Sequence, residues 1–77
     1  MKELIDGLKS VLRADVKDLY QYQATEINVM LFDTLDLDFV YQKTERYVLK
    51  LTGPYTLAKI NFIDGDEKVL KSITLVQ

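Results

Sequence analysis

The sequence predicts a mainly β domain with one N-terminal helix, in the order helix and then five antiparallel strands. Three observations carry this. Apolar residues follow a 3.6-residue period up to about Gln21 and a two-residue period after Thr25. Turn signals at Asp33-Thr34, Lys43 to Glu45, Gly53-Pro54 and Asp64-Gly65 divide the second stretch into segments of strand length. At 77 residues, the chain has the size of one domain.

The helix is expected over about residues 2–21. Leu4, Ile5, Leu8, Val11, Leu12, Val16, Leu19 and Tyr20 fall on one side of it, and most of the charged residues fall on the other. Gly7 weakens it slightly. Asp15 is a candidate cap for a second short helix, which would put a kink near Arg13–Asp15.

The strands are expected over about 25–33, 35–43, 46–52, 55–63 and 68–76. In the first, Ile27, Val29 and Leu31 alternate with Asn28, Met30 and Phe32. In the second, Leu35, Leu37, Phe39 and Tyr41 alternate with Asp36, Asp38, Val40 and Gln42, giving one acidic face. Tyr47, Leu49 and Leu51 form the apolar set of the third. Gly53-Pro54 ends it, because proline lacks the N–H a ladder needs. Asp64-Gly65 reads as the tight turn of a hairpin, since that dipeptide tolerates positive φ. The last two strands carry apolar residues on both faces. Either the sheet curls on itself into a small barrel or a second chain covers it.

Composition bounds the function. The chain has no cysteine, so no disulfide or thiolate metal site is expected. It has no histidine, which removes the commonest general base. With only three glycines there is no phosphate-binding loop, and no Ser or Thr has an evident base beside it. A catalytic site, a cofactor and a metal site are all unexpected. A net charge of −2 does not call for nucleic acid or an anionic membrane. No apolar run approaches the roughly 18 residues of a membrane span, and no signal-peptide pattern opens the chain. A cytoplasmic protein is the expectation.

The order of elements resembles the Sm-like family, which includes the Sm and LSm proteins and the RNA chaperone Hfq. Leu31-Phe32-Asp33-Thr34-Leu35-Asp36-Leu37 looks like the first turn and second strand of the family's first motif. Thr44-Glu45-Arg46-Tyr47-Val48-Leu49 looks like its loop and third strand, and Val69-Leu70-Lys71-Ser72-Ile73 echoes the second motif. Phe39 stands where the family has glycine, and Ser72 where Hfq has histidine, so the resemblance implies a divergent member, with a phage origin as the expectation. The resemblance implies a strongly bent, five-stranded antiparallel open barrel. It also implies a homo-oligomeric ring joined through the fourth and fifth strands, with single-stranded RNA at the pore. Arg46, Tyr47, Lys71 and Ser72 would then contact the RNA.

A second reading comes from the acidic face of Asp33, Asp36 and Asp38. Carboxylates there repel phosphate and weaken RNA binding. Small acidic phage proteins inhibit host enzymes by presenting carboxylates where nucleic-acid phosphates would sit, and uracil-DNA glycosylase inhibitors have that general build. On this reading the chain is an interaction protein that binds a host protein through the acidic face. A divalent-metal site at Asp36 and Asp38 lacks a third ligand and a loop geometry to hold it.

Overall fold

Leu4, Leu8 and Leu12 recur every fourth residue and are fully buried. They make the inner row of α1 (Lys2–Leu12), with Ile5 and Val11 packed beside them. The helix ends in a 3-10 turn (Arg13–Asp15), where Arg13 takes a left-handed φ of 43°. Val16 is already extended, so the helix cannot run on to Gln21. The next residues form β1 (Asp18–Gln23), which a two-residue turn joins to β2 (Glu26–Met30). A second 3-10 turn (Thr34–Asp36) leads directly into α2 (Leu37–Leu49), followed by β3 (Ala58–Ile63) and β4 (Val69–Leu75). The computed structural model describes residues 2–51 and 58–75.

The four strands form one sheet in the order β1-β2-β3-β4. β1 and β2 are antiparallel, β2 and β3 parallel, and β3 and β4 antiparallel. Two hairpins thus lie side by side. A parallel pair needs a crossover connection, and α2 lies within it. β2 and β3 are each paired on both edges, and among the described residues no strand pairs with the outer edges of β1 and β4.

Both helices cover the same face of the sheet. On that face Leu19, Ile27, Val29, Ile60 and Phe62 meet Leu4, Leu8 and Leu12 of α1 and Val40 and Val48 of α2. Tyr41 of α2 tilts against Phe62 with ring centroids 5.4 Å apart. Lys71 of β4 closes the edge of this layer, its Nζ 3.9 Å from the centre of the Tyr41 ring.

The fold is therefore mixed α and β among the described residues, with two helices and a four-stranded mixed sheet. It is not a mainly β, five-stranded antiparallel barrel with one helix. The largest correction falls on residues 35–52, expected as two strands, where residues 37–49 form α2. Leu37, Val40, Tyr41, Thr44, Tyr47 and Val48 follow a 3.6-residue spacing and are buried or half-buried, while Leu35, Phe39 and Leu49 point to solvent. Asp33-Thr34 is correspondingly a helix start rather than a strand turn. The Asp33 carboxylate accepts from the Leu35 N–H at 2.9 Å, the geometry of a cap. Thr44, expected in a loop, is fully buried and returns its hydroxyl to the Val40 carbonyl at 2.8 Å.

The expected first helix is shorter, because residues 18–23 belong to β1. Asp15 caps no second helix; it forms an ion pair with Lys43 at 2.7 Å, tying the end of α1 to α2. Of the other expected strands, 25–33 is narrowed to 26–30, and the described parts of 55–63 and 68–76 carry strands at 58–63 and 69–75. The Gly53-Pro54 break, residues 55–57 and Val76 lie outside the described residues. The hairpin at Asp64-Gly65 is present, but the residue with positive φ is Glu67, at 64°, and Gly65 has none. The Asp64 carboxylate holds this turn by accepting from the N–H groups of Asp66 and Lys68, each at 2.9 Å.

Candidate functional site

The sheet face away from the helices carries a row of polar residues in register across all four strands. Tyr20 on β1 pairs with Asn28 on β2, Asn28 with Asn61 on β3, and Asn61 with Ser72 on β4. Asn28 is 5% exposed and Asn61 3% exposed, so both amides must find partners within the protein. They do so along the row. The Ser72 hydroxyl donates to Asn61 Oδ1 at 2.8 Å. Asn61 Nδ2 donates to Asn28 Oδ1 at 3.0 Å and to Glu26 Oε1 at 3.1 Å. Two longer links continue it, from Asn28 Nδ2 to the Tyr20 hydroxyl and from that hydroxyl to Glu67 Oε1, each 3.4 Å.

The direction of these bonds follows from chemistry. An ionised carboxylate only accepts, so Glu26 fixes the orientation of the Asn61 amide. That in turn turns Asn61 Oδ1 toward Ser72 and makes Asn28 Oδ1 an acceptor. Both hydrogens of Asn61 Nδ2 are then committed.

Beside the row lies a depression of about 280 Å³ lined by Tyr22, Glu26, Asn28, Lys59, Asn61, Glu67 and Val69. Tyr22 lies two residues after Tyr20 and so on the same face of β1, at a bulge between Gln21 opposite Ile27 and Gln23 opposite Glu26. Glu67 reaches it from the left-handed position of the β3–β4 turn. The only ion pair among the described residues is that of Lys43 with Asp15, so Glu26, Lys59 and Glu67 form none there.

A second surface lies where β2 leads into α2. Six large apolar side chains are more than half exposed among the described residues, and three of them fall in this one stretch. Phe32 is 63% exposed, Leu35 88% and Phe39 57%. Asp33, Asp36 and Asp38 are interleaved with them. Scattered exposed apolar residues are ordinary, and it is their grouping in one short segment that sets these three apart. Lys43, one turn after Phe39, has its Nζ 5.5 Å from the centre of the Phe39 ring.

The sequence-predicted RNA residues do not share one surface. Arg46 is exposed on α2, and its neighbour Tyr47 is half-buried against Gly7 of α1. Lys71 lies on the helix side of the sheet over Tyr41, while Ser72 faces the other way, bonded to Asn61. Asp33, Asp36 and Asp38 are close in sequence but do not form a strand face. Asp33 caps the 3-10 turn, Asp36 ends it half-buried, and Asp38 is exposed in the first turn of α2.

Sequence reasoning missed the polar row. Its members lie on four separate strands, and only strand order and register bring them together. The one local signal is an asparagine among apolar residues in each central strand, Asn28 and Asn61. No helix of the described residues is long and apolar enough to cross a membrane. Comparison with known proteins adds no relative, since no family model, curated protein or solved structure matches the chain.

Proposed function

We propose that the chain is a small interaction protein without catalysis that docks a basic, apolar segment of another protein on the surface from Phe32 to Phe39. The observation that supports this is the grouping of Phe32, Leu35 and Phe39 with Asp33, Asp36 and Asp38. The apolar groups supply area to bury, and carboxylates around them favour a cationic partner and speed its encounter. The same carboxylates count against a phosphate backbone, which makes RNA the less well supported ligand.

A labelled amphipathic peptide of leucine and lysine tests the reading, with the matching leucine–glutamate peptide as control and fluorescence anisotropy as readout. The lysine peptide is expected to bind saturably and the glutamate peptide not. Replacing Phe32, Leu35 and Phe39 together by Ser removes binding without unfolding the chain, because exposed substitutions each change stability by only about 0.5 kcal/mol. Asp36→Lys with Asp38→Lys weakens the lysine peptide and admits the glutamate peptide. Indifference of binding to the triple Ser variant overturns the proposal. Saturable binding of an oligouridine at low salt, lost in Arg46→Ala, overturns it in favour of RNA. Self-association that the triple variant abolishes, seen by light scattering, overturns it in favour of a second copy.

A further inference from the structure

We propose that the depression on the open face of the sheet binds an organic cation, an ammonium or guanidinium head carried on a short aliphatic stem. This site lies on the opposite side of the sheet from the helices and stands independently of the docking surface.

The hydrogen-bond chain decides the sign of the ligand. From Ser72 through Asn61, Asn28 and Tyr20, each donor points along the row and the last reaches Glu67. Asn61, at the floor of the depression, has no hydrogen left to offer. Glu26 and Glu67 each receive one bond from the row through Oε1. Neither has a partner at its second oxygen among the described hydrogen bonds. Beside the Lys59 ammonium, the site therefore presents two carboxylate oxygens, that of Glu26 backed by the buried Asn61 amide and that of Glu67 by the Tyr20 hydroxyl. A head group rich in N–H donors complements such a lining.

Charge and shape agree. Two carboxylates, Glu26 and Glu67, stand against one ammonium, Lys59, which leaves the depression with a net negative charge. The exposed ring of Tyr22 offers a π face to a cation, and the half-exposed Val69 offers apolar contact to a stem. A volume of about 280 Å³ is at the lower end for small-molecule sites, which suits a single head and stem rather than a larger ligand. Glu67 occupies a left-handed position that glycine or asparagine fills at less cost, and its carboxylate is what that position brings to the site.

The test is a titration of the isotope-labelled chain with butylguanidinium, followed by amide chemical shifts at constant ionic strength, with butyrate as control. Saturable shifts are expected at Tyr22, Asn28, Asn61 and Glu67 with butylguanidinium and none with butyrate. Glu26→Gln together with Glu67→Gln lowers the affinity by at least tenfold, in a chain whose remaining spectrum shows it folded. Lys59→Met raises it several-fold by removing the opposing charge. A blocked Gly-Arg-Gly peptide separates two sources of the same head group. Tighter binding of the peptide than of butylguanidinium points to a polypeptide side chain, and equal binding points to a free small cation. Absence of saturation at about 10 mM ligand overturns the proposal, as does a loss of binding in Lys59→Met. Saturable shifts with butyrate overturn it in favour of an anion.

Discussion

The hydroxyl of Tyr47 occupies the space in which a side chain at Gly7 would begin. A Cβ built on Gly7 falls far inside contact distance of that oxygen and 2.8 Å from the ring carbon that bears it. Gly7 therefore lets a tyrosine of α2 lie directly on the backbone of α1. Its weak helix propensity is the cost of that approach. Gly7→Ala is expected to destabilise the chain by about 1–3 kcal/mol through displacement of the ring. With Tyr47→Leu already in place, the same change is expected to stabilise by up to about 1 kcal/mol, since only the propensity gain remains. Urea denaturation of the four chains of this cycle gives both values, and a Gly7→Ala that still destabilises when combined with Tyr47→Leu would sink the account.

Asn61 has more partners than any other member of the polar row. Asn61→Ala is expected to cost about 1–3 kcal/mol, largely because the buried Asn28 oxygen loses its donor. Asn61→Asp is expected to cost more at neutral pH, because it sets a carboxylate against Glu26 Oε1 and Asn28 Oδ1. Equal denaturation midpoints for the two variants would contradict the donor direction assigned to the row.

The β3–β4 turn separates folding from binding. Glu67→Gly is expected to stabilise by about 0.5–1 kcal/mol through relief of the left-handed φ, while weakening the butylguanidinium site. Gly65→Ala meets no neighbouring atom and needs no unusual φ. It is expected to be neutral or to stabilise by up to about 1 kcal/mol. Thermal melts of both variants check the pair, and a destabilised Glu67→Gly would show that the turn depends on the glutamate itself.

Lys71 and Tyr41 are expected to couple by about 0.5–1 kcal/mol in a double-mutant cycle of Lys71→Ala and Tyr41→Leu. A coupling of zero would return Lys71 to the solvent as a free surface charge.

Much of the fold is written in local patterns, and the rest is ambiguous for a definable reason. Leu4, Ile5, Leu8, Val11 and Leu12 together fit only a helical period, and Ile27 and Val29 around Asn28 read directly as a strand. Residues 35–48 satisfy both periods. Leu35, Leu37, Phe39 and Tyr41 alternate, yet Leu37, Val40, Tyr41, Thr44, Tyr47 and Val48 also follow a helical stripe. Packing chooses between them, because burying Val40 and Val48 against α1 and the sheet leaves Leu35 and Phe39 outside. Asp33-Thr34 could not decide the matter, since an aspartate that starts a turn and one that caps a helix use the same oxygen on the same N–H. Of the sites, the aspartates were legible as an acidic feature, though on the wrong element. The Tyr20–Asn28–Asn61–Ser72 row was not legible, because a parallel seam between β2 and β3 leaves no trace in either strand alone.

That seam also sets the order in which the chain can assemble. Each hairpin closes between neighbours and can form early, at small entropic cost. The contact of Glu26, Ile27 and Asn28 with Lys59, Ile60 and Asn61 spans the whole crossover and cannot form until α2 has folded back. The strand pairing that closes the longest stretch of chain therefore falls on the middle of the sheet rather than its margins. Until then each half presents an inner strand with an unclaimed edge, and at high concentration the half of another molecule can take it, giving a dimer by exchange of hairpins.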